Sequence, residues 1–268
     1  MTSIYTHGHH ESVLRAHRWR TAENSCAYLL PHLVPGMDLL DVGCGPASIT
    51  LDLARHVGTS GRVVAIDPAA DAVEAAREAV ARAGVTNVIV EQADVESMAD
   101  TAKDAFDVVH AHQVLQHVPD PVATLQAMRT TARPGGLVAA READYGAMTW
   151  FPESDGLDEW CVLYRRVASS NGGRPDAGRE LLSWATAAGF DDIVSSASAW
   201  CFATPEDREW WGGLWAERVT QSSIAEQAVA ASLSTPSDLE RLAAAWHSWA
   251  REDDGWFAVL HGEVLCGA

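Results

Sequence analysis

The sequence has 268 residues and a formal net charge of −18 at pH 7. A chain of this length buries a sizeable core, as one large domain or as one domain with a cap. Binding to nucleic acid needs a concentrated basic face, so the charge argues against DNA or RNA as a partner. The five cysteines are odd in number and form no CxxC pair, which favours a reducing cytoplasm. No stretch approaches ~20 apolar residues, and we expect no export or membrane span.

The first half of the chain alternates strands with helices. A polar lead and a helix occupy residues 1–36, and Pro35-Gly36 ends that helix. Strands are predicted at 37–43, 62–68, 87–94, 106–112 and 136–142, with helices at 47–57 and 69–84 among the connections. Strands spaced in this way predict right-handed crossovers and a doubly wound parallel α/β sheet.

The second half is less regular. We expect a helical insertion at 144–175, a helix at 179–190, a strand at 191–202, helices within 205–250 and a closing strand or strand pair at 255–267. These elements predict a mostly parallel, seven-stranded sheet. Its core would comprise 37–202 and 255–268, with 144–175 and 205–250 as a substrate cap and 1–36 as a helical lead over the pocket.

A glycine-rich turn, Asp41-Val42-Gly43-Cys44-Gly45-Pro46-Ala47-Ser48, follows the first strand. In a doubly wound sheet this turn borders the crevice where ligands bind, and glycine lets the backbone approach a ligand closely. A dinucleotide favours GxGxxG, whereas Ser48 occupies the last glycine position here. Asp41 instead suits the ammonium of an amino-acid tail. A tight turn without a ligand is the simpler alternative.

Two further acids end the next two strands. Asp67 could accept hydrogen bonds from ribose hydroxyls, a role shared by several nucleoside cofactors. Asp94 could accept from an adenine amino group, or could simply cap the following helix. Three acids at three successive strand ends favour a nucleoside ligand.

The ordered blocks DVGCGPAS, VVAIDP, EQADVESM, FDVVHAHQVLQHVPDP and RPGGLVAA resemble the class I S-adenosylmethionine-dependent methyltransferases, especially the small-molecule branch related to quinone-biosynthesis enzymes. The resemblance covers roughly residues 37–143. It implies a Rossmann-like fold, S-adenosyl-L-methionine as cofactor and S-adenosyl-L-homocysteine as product. Ala47 replaces the third glycine of the usual DxGxGxG turn.

Later blocks, AREADY, NGGRPDAGR, WWGGLWAERV and DGWFAVLHGEVLC, are similar to a narrower group that includes the fungal bis-thiomethyltransferase acting on reduced gliotoxin. This similarity implies S-methylation of a small thiol or dithiol. The alternatives are O-, N- or C-methylation of a natural product or quinone-like substrate, or a non-methylating reaction such as a cyclisation. The sequence lacks the N-P-P-[FY] turn after the fourth strand, which argues against methylation of adenine or glutamine nitrogen. A monomer and a homodimer both stay open.

The resemblance assigns roles to individual residues. The expected cofactor-binding residues are Asp41, Gly43, Cys44, Gly45, Asp67, Pro68, Ala93, Asp94, Val95, His112, Gln113 and His117. The substrate pocket would be lined by Tyr5, Trp150, Trp211 and Trp215, although large aromatic side chains are more often core residues. Proton acceptors for the methyl acceptor would be His117, Tyr145 or Asp144, with a packed structural role as the alternative for His117.

Three histidines, His110, His112 and His117, surround the end of the fourth strand. They could hold a metal only if all three converged, and no acidic or cysteine partner is spaced to complete such a site. We therefore expect no metal.

Overall fold

A computed structural model describes residues 11–268 and their side chains from Arg15 onward. The first half of this region alternates strands and helices as predicted. Its strands are β1 Asp38–Val42, β2 Arg62–Asp67, β3 Val88–Gln92, β4 Phe106–His112 and β5 Ala132–Ala143. Its helices are α1 Glu11–Trp19, α2 Ala22–Ser25, α3 Ser48–Val57, α4 Ala70–Ala83, α5 Val95–Thr101 and α6 Pro121–Thr131.

The second half supplies the remaining elements. The strands are β6 Thr149–Phe151, β7 Ile193–Phe202 and β8 Trp256–Gly267. The helices are α7 Asp155–Ser170, α8 Leu181–Ala187, α9 Pro205–Gln221, α10 Ser223–Ala230 and α11 Pro236–Ala250. Short 3-10 turns lie at Leu30–His32, Leu115–His117, Tyr145–Ala147 and Ala177–Glu180.

Local sequence signals explain where these helices begin. Thr204 caps α9 by accepting from the Asp207 N–H, and Asp207 accepts from the Thr204 N–H in return. Pro205 follows at the first helical position, where its missing N–H costs nothing. The same combination of threonine cap, proline and aspartate starts α11 at Thr235.

The sheet order is β3-β2-β1-β4-β5-β8-β6, and β7 also pairs with β8. Strands β1 to β5 are parallel, while β8 is antiparallel to β5, β6 and β7. The chain runs outward from β1 through β2 to β3 and then returns to place β4 on the other side of β1. This reversal opens a crevice at the carboxyl ends of β1 and β4. The predicted doubly wound, mostly parallel sheet is confirmed.

The structure adds one short strand, β6, to the seven predicted from the sequence. Thr149–Phe151 lies in the segment predicted as a helical insertion, but it pairs with the first residues of β8. Three residues are too few for a periodic pattern to identify, so only the pairing partner reveals this strand.

Helices α7 and α9 to α11 share one aromatic core. Buried tryptophans dominate it: Trp160, Trp211, Trp215, Trp246 and Trp249. Trp160 meets Trp215 and Trp246 edge-on, with ring centroids 4.5 and 4.7 Å away. The tryptophan-rich second half therefore forms a packed layer beside the sheet. In residues 11–268 no helix has the length and apolar character to cross a bilayer.

Candidate active site

A cavity of about 540 Å³ occupies the crevice at the carboxyl ends of β1, β2 and β4. Many of the residues predicted from the sequence line it together: Asp41, Gly43, Cys44, Gly45, Asp67, Pro68, His112, Gln113, His117, Tyr145, Trp211 and Trp215. Residues that the sequence reasoning missed also line it, among them Arg20, Trp200 and Arg218.

The glycine-rich turn takes backbone conformations that suit glycine. Gly43 and Gly45 have φ of +67° and +52°. A Cβ on Gly43 would lie 2.5 Å from Val114 Cγ2, so a side chain at this position would collide with the loop after β4. Ala47, where the related turn has its third glycine, also lies in the left-handed region with φ of +63°. An alanine is strained in that conformation.

Asp67 connects the end of β2 to this turn. Its Oδ2 accepts from the Gly45 N–H at 3.1 Å, and its Oδ1 accepts from the Ala69 N–H at 2.9 Å. The carboxylate is therefore held at the cavity wall, at the place where a ribose would be expected in a doubly wound sheet.

Asp41 is buried beneath the turn and is already hydrogen-bonded. Its two oxygens contact His110 Nδ1 at 2.8 Å and Thr50 Oγ1 at 2.5 Å. Burial lowers the pKa of His110, but the hydrogen bond to Asp41 and the nearby Cys26 outweigh burial and raise that pKa to about 10. His110 and Asp41 thus form an ion pair behind the cavity.

The loop after β4 is fixed by a buried carboxyl group. Glu142, at the end of β5, accepts from the backbone N–H groups of Val114 and Leu115 at 2.8 and 2.7 Å. Burial raises the pKa of Glu142 to about 8, although the hydrogen bonds from these backbone N–H groups lower it in part. The carboxyl group therefore acts as a scaffold for the segment that carries Gln113 and His117.

Gln113 links the amino-terminal segment to β8. Its Oε1 accepts from Arg20 Nη2 at 2.7 Å, and its Nε2 lies 2.9 Å from His261 Nε2. His261 Nδ1 donates to the Val259 carbonyl, so Nε2 of the neutral ring is left to accept from the amide. This chain of bonds orients Gln113, whose backbone has a left-handed φ of +55°.

Two histidines at the cavity stay neutral. Burial and the charges of Arg20 and Arg141 hold the pKa of His112 well below its usual value. Burial and Arg20 lower the pKa of His117 to about 4. Both His112 ring nitrogens are buried and make no hydrogen bond among the described residues, although the residue lines the cavity.

Five predicted site residues do not line the cavity. Ala93, Asp94 and Val95 lie outside the cavity wall. Asp94 caps α5, because its side chain accepts from the Ser97 N–H at 2.7 Å. The contact of Asp94 with adenine stays a prediction. Asp144 is buried and takes both its oxygens to Arg179, which removes it from the cavity as a proton acceptor. Trp150 stacks on Phe257 at 5.6 Å, because β6 turns it into the aromatic core. Tyr5 lies outside the described residues.

Among the missed residues, Arg218 carried a sequence signal, because it follows two predicted tryptophans at helical spacing. Trp211, Trp215 and Arg218 are spaced four and three residues apart, so they share one face of α9. Arg20 and Trp200 carried no such signal, since they reach the cavity from the residue after α1 and from β7 only after the sheet is assembled. No group of three or more metal-binding side chains exists within residues 11–268.

A family described as a methyltransferase domain matches residues 33–199, a span that contains the glycine-rich turn, Asp67 and the loop after β4. The chain belongs to this methyltransferase family. The methyltransferase is 31% identical over 269 residues to an uncharacterized methyltransferase of Schizosaccharomyces pombe, covering 97% of this chain and 95% of that protein. A probable methyltransferase of Aspergillus luteorubrus is 26% identical over 281 residues, covering 98% and 97%.

Other similarities are partial or concern the fold. A ubiquinone biosynthesis O-methyltransferase of Albidiferax ferrireducens is 33% identical over 135 residues, or 46% of this methyltransferase and 52% of that enzyme. Among solved structures, the YcgJ protein of Bacillus subtilis has a TM-score of 0.58 at 16% identity, covering 91% of this chain and 98% of that one. The [4+2]-cyclase SpnF has a TM-score of 0.54 at 21% identity, covering 97% and 88%. These structures share the fold.

The cavity fits S-adenosylmethionine, the cofactor of this class I methyltransferase. The glycine turn provides a cradle that a Cβ on Gly43 would fill, and His112 lines the same cavity with no hydrogen bond to its ring nitrogens among the described residues. Asp67 lines the same cavity at the end of β2. The cofactor carries no phosphate, which agrees with a turn that has Ser48 in place of the last glycine of GxGxxG.

Proposed function

We propose that this S-adenosylmethionine-dependent methyltransferase transfers its methyl group to the sulfur of a small-molecule thiol or dithiol. When bound, the cofactor supplies an electrophilic methyl group on a sulfonium. We assign the ribose to Asp67, the amino-acid tail to the turn at Gly43 to Gly45, and the methionine portion to His112 and Gln113. The similarity of the later sequence blocks to the bis-thiomethyltransferase group supports sulfur as the acceptor atom.

The observation that carries this proposal is the weak basicity of the histidine at the cavity. A neutral imidazole with a pKa of about 4 removes a proton poorly at neutral pH, and His117 has this pKa because of burial and Arg20. Burial raises the pKa of the Tyr145 phenol, so it stays protonated. Asp144 is occupied by Arg179.

A thiol needs little help to ionise. Its ordinary pKa is about 8.5, so a useful fraction is thiolate near neutral pH, whereas a phenol with a pKa of about 10 is almost fully protonated. An acceptor that ionises by itself is therefore better matched to these residues than an alcohol or a phenol.

The chain's own contribution is then mainly positioning and exclusion of water. Holding the reactants in the correct orientation can lower the activation free energy by about 7 kcal/mol or more relative to free reactants. We propose that residues 11–36 and helices α9 to α11 act as the cap that closes the cavity, because Ala16, His17 and Arg20 line it from one side and Trp211 and Trp215 from another.

O-methylation is the second candidate, favoured by the partial similarity to ubiquinone biosynthesis O-methyltransferases. The two candidates differ in how the rate depends on pH. For a thiol that ionises unaided, the midpoint of the kcat/KM profile follows the pKa of the acceptor.

To test the proposal, the protein is incubated with labelled S-adenosylmethionine and matched pairs of aryl thiols and phenols. Mass spectrometry then locates the transferred methyl group. We expect S-methyl products, and a pH midpoint that moves between two thiols of different pKa. His117→Gln should leave that midpoint in place. Methylation of the phenols alone, or a midpoint that is the same for every thiol, would contradict S-methylation without a protein base.

A further inference from the structure

The two ends of the cavity differ in charge. The acidic residues in its described lining are Asp41, Asp67 and Asp71, which come from β1, β2 and the start of α4. The opposite end is built by Tyr145 after β5, Val259 on β8 and the helix α9. Four strand spacings separate β2 from β8 in the sheet, or roughly 19 Å, so Asp67 at the end of β2 is remote from this second end. Asp41, on the nearer strand β1, is paired with His110.

The second end has flat aromatic walls. Tyr145 and Trp215 meet at nearly right angles with ring centroids 6.3 Å apart, and Trp211 meets Trp215 at 5.9 Å and 81°. Met148 adds a thioether to the same lining. Walls of this kind favour a planar apolar body, which can stack on one ring and meet another edge-on.

Arg218 brings a positive charge to these walls. Its side chain is buried, and its guanidinium carbon lies 5.0 Å from the centroid of the Trp215 ring. A guanidinium held against an aromatic face presents a planar fork of donors, the geometry that suits a carboxylate. None of the described residues that line this end of the cavity is acidic.

The pKa of the Tyr145 phenol shows which charges act at this end of the cavity. Burial raises its pKa, while a hydrogen bond from Tyr164 and the charges of Arg218 and Arg20 lower it. A negative charge on a ligand near Tyr145 is therefore favoured by the same two arginines. A cationic ligand would find the aromatic rings attractive but would be repelled by Arg218.

We propose that the methyl acceptor is an aromatic molecule that carries an anionic substituent, a carboxylate being the simplest, and that Arg218 binds this substituent. The proposal rests on the proposed function in taking this cavity as the acceptor site, but it concerns the body of the acceptor rather than the methylated atom. Arg218 is a binding and specificity residue in this proposal.

Binding tests the proposal without turnover. The protein is saturated with S-adenosylhomocysteine and titrated calorimetrically with three probes of one shape: 2-naphthoate, 2-naphthamide and 2-naphthylmethylammonium. We expect 2-naphthoate to bind at least 10-fold tighter than the amide, a difference of about 1.4 kcal/mol. Arg218→Met should abolish this preference, and Arg218→Lys should retain part of it.

Arg208→Met is the matched control, because Arg208 lies on the same helix, is equally buried and is absent from the cavity lining. The preference should survive in this variant. Thermal unfolding of all three variants identifies any that fail to fold, and Arg218→Lys then carries the comparison because it keeps the charge.

The outcomes separate this proposal from the proposed function. Equal binding of the three probes, tighter binding of the cation, or an undiminished preference in Arg218→Met overturns it, even if thiols are methylated. A carboxylate preference that depends on Arg218 supports it, even if the methylated atom proves to be oxygen.

Discussion

The carboxylate of Asp67 accepts a hydrogen bond from the backbone N–H of Gly45 at 3.1 Å, so the end of β2 fixes the shape of the turn after β1. This contact joins the two sequence features that indicated a nucleoside cofactor into one wall of the cavity.

Replacement of Asp67 should impair cofactor binding. We expect Asp67→Ala to weaken the affinity for S-adenosylhomocysteine about 10-fold or more, because a hydrogen bond to a charged group contributes roughly 1.5–3 kcal/mol. Isothermal titration calorimetry measures this, with the exposed Asp100→Ala as the control. An unchanged dissociation constant for Asp67→Ala would refute the ribose-binding role.

A side chain at Gly43 should distort the cradle. Gly43→Ala meets both a left-handed backbone and Val114 Cγ2, and we expect a loss of about 2 kcal/mol or more in the free energy of unfolding. Gly84 has nearly the same φ of +64°, with no atom within 4 Å of an added Cβ. Gly84→Ala therefore measures the backbone strain alone. Urea denaturation should show a larger loss of unfolding free energy for Gly43→Ala than for Gly84→Ala. Adding Val114→Ala to Gly43→Ala should restore part of that loss. Equal losses in the two glycine variants would show that the contact with Val114 is unimportant.

Ala47 offers a stabilising substitution. Because its backbone lies at φ +63°, Ala47→Gly should relieve strain and raise the free energy of unfolding by up to about 1 kcal/mol. The same change at Ala79, inside α4, should lower it by about 1 kcal/mol, since glycine is a poor helix former. Thermal melts of both variants check this pair. Destabilisation at both positions would argue that the methyl group of Ala47 matters more than its backbone.

The ion pair of His110 and Asp41 should make stability depend on pH. A histidine whose folded pKa is raised to about 10 contributes stability that is complete below about 6.5, the ordinary pKa, and is lost as the pH rises through about 10. His110→Gln should therefore cost about 2 kcal/mol at pH 7 and less at pH 10. Urea denaturation at the two pH values measures the difference, with surface His56→Gln as the control. A loss that is the same at pH 7 and pH 10 would exclude a charged His110.

The sequence by itself determined the part of the protein that local patterns encode. Apolar strands ending in glycine or aspartate, with helices between them, indicated the doubly wound sheet and placed Asp41, Gly43 and Asp67 at one edge. These predictions hold because parallel strands connected by right-handed crossovers bring their carboxyl ends to the same side. The methyltransferase family followed from the same blocks.

Only the tertiary structure decided which side chains outside those blocks face the cavity. Trp150 and Trp200 are both strand tryptophans, yet pairing with β8 packs the first against Phe257 and leaves the second in the cavity lining. Asp144 is withdrawn by Arg179, a partner 35 residues away. Arg20 and Arg218 reach the cavity from opposite ends of the chain. Strand register and long-range ion pairs depend on residues distant in sequence, and no local pattern carries that information.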